Sequence, residues 1–217
     1  MNSKDTPDAQ ISKAPTLETG LTRILEARHH DPFEVLGRHS QEGKECFRIF
    51  LPQAESARIG DDGPEFTRIP GTDLFEARTP LGNAIPVHYR IQWTDKSGQA
   101  QSHVDPYTFE PFLTDFDLYL FGEGRHHHIY QILGAHPMTR DGISGTAFAV
   151  WAPNAERVSV VGDFNGWDGR IHSMRSRGAS GVFELFIPGI AAGTFYKFEI
   201  RNRQNGAILL LSLIHIS

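Results

Sequence analysis

Residues 158–169 read Val158-Ser-Val-Val-Gly162-Asp-Phe-Asn165-Gly-Trp167-Asp-Gly169. The valine-rich start has the character of a strand, and Asp, Asn and Gly are the residues that let a chain leave a strand through a tight turn. The turn holds Trp167 at a loop tip, where an indole is hard to bury. An aromatic ring offered on a rigid β scaffold suits a flat, weakly polar partner.

Composition narrows the field. The chain has 217 residues, 39% hydrophobic and 22% charged, which describes a soluble globular protein of one large domain or two smaller ones. With a net charge of −5 and no Lys/Arg block, no nucleic-acid partner is expected. Cys46 is the one cysteine, which fits a reducing, cytoplasmic setting. Residues 1–16 lack an apolar run, so they read as a disordered lead-in and not a signal peptide. No membrane partner is expected.

In chain order, Leu17, Leu21, Ile24 and Leu25 fall at helical spacing and predict a helix from Leu17 to Arg28, capped by Thr16. Asp31-Pro32-Phe33-Glu34 then carries cap, first-turn proline and capping-box acid, and Gly37 ends that single turn. From Glu45 the period changes. Short strands are predicted at Glu45–Phe50, Ala57–Gly60, Leu74–Arg78 and Val87–Trp93. Asp105 to Phe109 leaves the sheet, Leu113 to Phe121 connects, and a second helical turn ends at Gly134. Strands return at Gly145–Trp151, Arg157–Gly162, Val182–Ile187 and Thr194–Arg201.

The halves echo one another. Val35-Leu36-Gly37-Arg38-His39 matches Ile132-Leu133-Gly134-Ala135-His136, and Phe47-x-x-Phe50-x-Pro52-x-Ala54 matches Phe148-x-x-Trp151-x-Pro153-x-Ala155. Phe75-Glu76 matches Phe183-Glu184, and Tyr89-x-Ile91 matches Tyr196-x-Phe198. The separations are 97, 101, 108 and 107 residues in one order, so two copies of one module are expected. The fold class read from this is all-β: two tandem immunoglobulin-like β-sandwiches with short helical turns. The boundaries are 17–112 for the first module and 113–210 for the second.

Several chemistries are not supported. Gly122-Glu-Gly124 lacks the third glycine and βαβ context of a dinucleotide loop. Asp163, Asn165 and Gly166 begin like a calcium loop, but Met174 stands where its terminal glutamate belongs. His126, His127, His128 and His136 have no Cys or carboxylate at ligand spacing, so no metal and no cofactor are expected. A glycosidase needs two carboxylates across a sugar, and a serine hydrolase needs a nucleophile elbow; neither context is present, and no catalytic residue is assigned. Phe148, Trp151, Phe183, Phe186, Phe195 and Phe198 are read as core, and Trp93 as core or rim. Trp167 is either a ligand contact or a lid over a sheet edge. Lys197 is either its companion or an ordinary solvated strand lysine.

The runs FGEGRHHHIYQILGAHP (121–137), GTAFAVWAPNAERVSVVGDFNGWDGR (145–170) and GVFELFIPGIAAGTFYKFEI (181–200) resemble the amino-terminal part of bacterial 1,4-α-glucan (glycogen) branching enzymes. The first run is distinctive for them; WAPNA and GDFNGWDG are shared with other α-amylase-superfamily relatives and glycogen-binding modules. The DPFEVLGRH and VDPYTF runs are similar to an extra module at the front of some branching enzymes. The resemblance covers Leu17 to Leu210.

The resemblance implies that 113–210 is a glycogen-binding-type sandwich in which Trp167 stacks on glucose and Lys197 and Asn165 assist. Such modules often carry a second tryptophan after the YKF strand; here Asn205-Gly-Ala-Ile208 has none. The family continues into a (β/α)₈ barrel with an Asp nucleophile and a Glu acid/base that transfers α-1,4-glucan to a 6-hydroxyl. That barrel is absent from these residues, and 211–217 does not resemble the family and is read as a non-native tail. The expected partners are α-glucan (glycogen or maltooligosaccharide) and the enzyme's own barrel. The alternatives are a stand-alone α-glucan-binding protein, and sandwiches that only brace a barrel.

Overall fold

The computed structural model describes residues 16–124 and 132–212. In chain order its elements are α1 Thr16–Leu25, β1 Gly37–Gln41, β2 Lys44–Phe50, β3 Ala54–Ile59, β4 Thr67–Arg68, β5 Leu74–Pro80, β6 Arg90–Asp95 and β7 Ala100–Val104. There follow α2 Asp115–Gly122, β8 Gly134–Arg140, β9 Ile143–Trp151, β10 Ala155–Gly162, β11 Arg175–Ser176, β12 Val182–Pro188, β13 Tyr196–Asn202 and β14 Ile208–Leu211. Strand order is β1-β2-β5-β4 against β3-β6-β7 in the first half and β8-β9-β12-β11 against β10-β13-β14 in the second. The fold is therefore all-β, two tandem sandwiches of one topology. No barrel is present among the described residues.

The repeat seen in sequence extends through the cores. Phe47, Ile49, Leu51, Ala54, Ala57 and Ile59 fill the first. Phe148, Val150, Ala152, Ala155, Val158 and Val160, each 101 positions on, fill the second. Phe47 meets Tyr89 edge-on at 5.1 Å, and Phe148 meets Tyr196 the same way at 5.0 Å. Outside the core, His39 Nε2 lies 2.9 Å from the Leu36 carbonyl, and His136 Nε2 lies 3.0 Å from that of Leu133. Both copies open their first strand with a left-handed glycine, Gly37 (φ 87°) and Gly134 (φ 108°). At Gly37 a Cβ would also stand 2.8 Å from the Tyr107 carbonyl oxygen, so two constraints require glycine there.

Alternation decides which aromatics are core. Tyr196 and Phe198 point inward, so Phe195 on the same run points out and is 62% exposed. Trp151, at the end of β9, is 55% exposed and meets Phe121 edge-on at 6.0 Å. These two corrections to the core assignment follow from the two-residue period. Phe186 is buried, but on the outer face of β12 against Phe109 rather than between the sheets.

The helical expectations hold in part. Asp31 caps a 3-10 turn at Pro32–Glu34 by accepting from the Phe33 amide at 3.1 Å. Helix α1 ends at Leu25, three residues short of the expected end, and buries Ile24 against Val35, Leu36, Phe50 and Leu74. The connecting segment contains a true helix, α2. Thr114 and Asp117 form a reciprocal capping box, and that T-x-x-D signal is present in the sequence. The short strands β1, β4, β7, β8, β11 and β14 were not anticipated. The turn expected before Gly134 and His126 to His128 lie largely outside the described residues.

Buried polar groups tie the linker to both sandwiches. Asp105 accepts from Tyr89 Oη and from the Tyr107 amide, while Tyr107 Oη donates to the Ile171 carbonyl at 2.9 Å. Glu184 accepts from the Leu113 amide at 2.9 Å and from Arg177 at 2.7 Å. Cys46 is buried, and burial pushes its thiol up to about 11. A thiol reagent is expected to label native Cys46 far more slowly than the urea-unfolded chain; equal rates would contradict this packing.

Candidate functional site

The Trp167 turn is built from β10 outward. After Gly162 the chain makes a 3-10 turn, Asp163–Asn165, and then places Gly166 (φ 61°) and Trp167 (φ 61°) in the left-handed region in succession. For tryptophan that conformation costs about 1–2 kcal/mol, so neighbours must hold it. Asn165 supplies much of this hold. Its Oδ1 accepts from the Gly162 amide at 3.0 Å, and its Nδ2 donates to the Val160 carbonyl at 2.8 Å and to His172 Nδ1 at 2.9 Å. At 6% exposure its amide is spent inside the turn, so Asn165 shapes the site without presenting polar atoms to solvent. Gly162 permits the close approach: a Cβ there would fall 2.5 Å from the Phe164 ring and 2.6 Å from the Phe195 carbonyl.

Trp167 is 42% exposed, which favours a presented ring over a sealed lid. Its Nε1 donates to Asp163 Oδ1 at 2.8 Å, fixing the indole by its edge. Lys197 Nζ lies 5.8 Å from the ring centroid, on the outward side of β13, where its strand partner is Val161. Among the described residues its ammonium forms no ion pair, so it is free to donate to a ligand held against the ring. Lys197→Met should weaken any ligand that stacks on Trp167 by a few-fold and leave thermal stability unchanged; unchanged affinity in a titration would separate the two side chains functionally.

Behind the turn, Arg157 is 1% exposed and bonds Glu199, Ser159 Oγ and the Gly169 carbonyl together. Asp168 clasps Arg170 through 2.9 and 2.7 Å bonds. Burial alone raises the Asp168 carboxyl, and bonds from Arg170 outweigh it and hold the group below its ordinary range. Arg170 in turn covers the Phe50 ring of the first sandwich at 5.1 Å. Sequence reasoning missed Arg157, since nothing in a strand's pattern marks an arginine as buried.

The histidines near the turn are neutral at pH 7. Burial pushes His172 down to about 3, helped by His103, and burial pushes His103 down to about 4. The unfolded chain protonates imidazoles near 6.5, so it binds more protons than the folded chain below that pH, and stability falls as pH drops from about 6.5 to 4. Asp105 opposes this: burial lifts its carboxyl to about 6 despite bonds from Tyr89 and Tyr107, so its contribution grows as pH falls through 6. His103→Gln should therefore shrink the drop in melting temperature between pH 7 and pH 4.5. An unchanged drop would contradict the assignment. Among the described residues, no three His, Cys, Asp or Glu are grouped to hold a metal.

Residues 132–212 match the family described as carbohydrate-binding module 48 (isoamylase N-terminal domain). Residues 17–107 match the alpha-1,4-glucan branching enzyme GlgB N-terminal domain. Most of the second sandwich is thus similar to carbohydrate-binding modules. The 1,4-alpha-glucan branching enzyme GlgB of Methylococcus capsulatus is 60% identical over 196 residues, which is 90% of this chain and 26% of that protein. Those of Cellvibrio japonicus and Thiobacillus denitrificans are 53% and 52% identical over 90% and 91% of this chain, and 28% and 26% of theirs. The chain is similar to the amino-terminal part of these 1,4-α-glucan branching enzymes, and it spans about a quarter of their length. A crystal structure of pullulanase from Anoxybacillus sp. LM18-11 aligns with 81% of this chain and 27% of its own at 14% identity and a TM-score of 0.27, a likeness too low to inform fold or ligand.

Proposed function

We propose that this chain is the front part of a cytoplasmic 1,4-α-glucan branching enzyme of glycogen biosynthesis, and that it positions α-glucan without performing chemistry. In this reading residues 17–112 form the leading sandwich and 113–210 the glucan-binding one. Transfer of α-1,4 segments to a 6-hydroxyl belongs to the part of the relatives' length beyond the match. One observation carries the reading: a half-exposed indole, pinned at its edge by Asp163, with the Lys197 ammonium beside it. A sugar's C–H face stacks on such a ring while its hydroxyls meet the cation. Asn165 holds the turn that presents the ring.

The pure chain is expected to be retarded on a glycogen-containing native gel and to produce no new α-1,6 linkages from amylose. Migration equal to that on a glycogen-free gel would end the binding reading, and branch formation would end the non-catalytic one. A second reading, in which the sandwiches also brace the barrel, is favoured by β14. Ile208, Leu209 and Leu210 are all exposed, an apolar edge of the kind a further domain covers.

A further inference from the structure

Between the two sandwiches lies a cleft of about 480 Å³, within the range of roughly 300–1,000 Å³ typical of ligand sites. One wall comes from the first module: the turn carrying Gln53, and β6 and β7 with Trp93, Gln101, Ser102 and His103. The opposite wall is the back of the Trp167 turn, Asp163 to Gly166, with His172. Trp93, read from sequence as core or rim, stands half-buried on the first wall.

The lining has a definite chemistry. It contains no Lys, Arg or Glu, and its single carboxylate, Asp163, already accepts from Trp167 Nε1. Phosphates and carboxylates therefore find no counter-charge there, and a cation meets only a single carboxylate that is already hydrogen-bonded to the indole. Yet the walls are well supplied with neutral hydrogen-bonding groups. The side-chain amides of Gln53 and Gln101 and the His103 ring make no hydrogen bond within the described residues. His172 accepts at Nδ1 from Asn165, which leaves its Nε2–H free to donate. Both rings are kept uncharged near pH 7 by burial. Neutral donors and acceptors set among Leu51, Val104, Ile171 and Ile190 complement a hydroxyl-rich, uncharged ligand with apolar faces.

We infer that this inter-module cleft is a second α-glucan subsite, built from Gln53, Gln101, His103 and His172, which receives a stretch of the same glucan that stacks on Trp167. The proposal rests on the binding role assigned to Trp167, because the shared Asp163–Gly166 turn joins the two surfaces. It gives the leading module a binding function of its own, since half the subsite belongs to it. A chain engaging both surfaces gains through the high effective concentration of the second contact.

The test is a titration of the intact chain with maltoheptaose, followed by the NMR signals of the Trp167 indole N–H and of the His103 and His172 rings. His103 is the decisive reporter, because His172 is bonded to the turn and responds to either surface. Wild type should shift at both Trp167 and His103. Gln53→Ala/Gln101→Ala, with an otherwise unchanged amide spectrum, should lose the His103 shift, keep the Trp167 shift and bind roughly tenfold more weakly. Wild-type shifts at Trp167 with His103 silent would overturn the cleft subsite and leave the turn reading standing. Shifts at His103 with Trp167 silent would overturn the turn reading and, with it, the claim that one glucan engages both surfaces, and silence at both would overturn both.

Discussion

Trp167→Ala is expected to lower the affinity for maltoheptaose by about tenfold while the melting temperature stays within about 2 °C of wild type. The effect on binding is large because the ring is the broad apolar face of the turn, and stacking on an aromatic contributes about 0.5–1.5 kcal/mol beyond area burial. The effect on folding is small because the ring is 42% exposed, and the turn's own bonds come from Asn165, Asp168 and the Gly162 carbonyl. Alanine keeps the unfavourable left-handed conformation at this position, so the backbone term changes little. Trp167→Phe should recover part of the affinity, since a smaller ring still stacks. Calorimetric titration of the three proteins checks this. An alanine variant that binds as wild type would remove Trp167 from the site.

Arg157→Met is expected to cost about 3–5 kcal/mol and to abolish glucan retention as well. Removing one member of a buried pair leaves the other charge and its acceptors uncompensated. Here Glu199, the Gly169 carbonyl and Ser159 Oγ all converge on the Arg157 guanidinium. Gly169 lies two residues beyond Trp167, so loss of that anchor frees the return limb of the turn. Space is tight as well: a Cβ at Gly169 would sit 2.0 Å from Glu199 Oε1 and 2.8 Å from Arg157 Nη1. Arg157→Lys should rescue little, because an ammonium cannot match the planar fork that reaches three acceptors. Denaturant melts followed by circular dichroism give the stability, and gel retention gives the function. A loss below about 1 kcal/mol would show that Glu199 and the loop are held by other means.

Much of the architecture was legible because the repeat is carried by core residues. The positions that match between halves, Phe47 with Phe148 and Tyr89 with Tyr196, are the ones that meet edge-on inside each sandwich. Chance similarity of strands would not preserve that contact. The short strands were not legible, since Arg175-Ser176 and Thr67-Arg68 are too brief to show a period and owe their pairing to longer neighbours. Helix α2 was legible in its capping box but overshadowed by the apolar run that follows.

At the candidate site the turn residues announced themselves, and their division of labour did not. Asn165 and Trp167 are two positions apart, yet one amide is turned inward onto Val160 while the indole is turned out. That difference is set by the pair of left-handed residues, which no spacing rule reports. The exposed face of Phe195 was recoverable from alternation with Tyr196 and Phe198, had inward and outward positions been assigned before aromatic residues were counted as core.

The most direct measurement of the central claim is calorimetric titration of maltoheptaose into the pure chain and its Trp167→Ala variant at pH 7. The account predicts saturable binding by the wild type and about tenfold weaker binding by the variant. Equal affinity in the two proteins, or no binding heat in either, would contradict it.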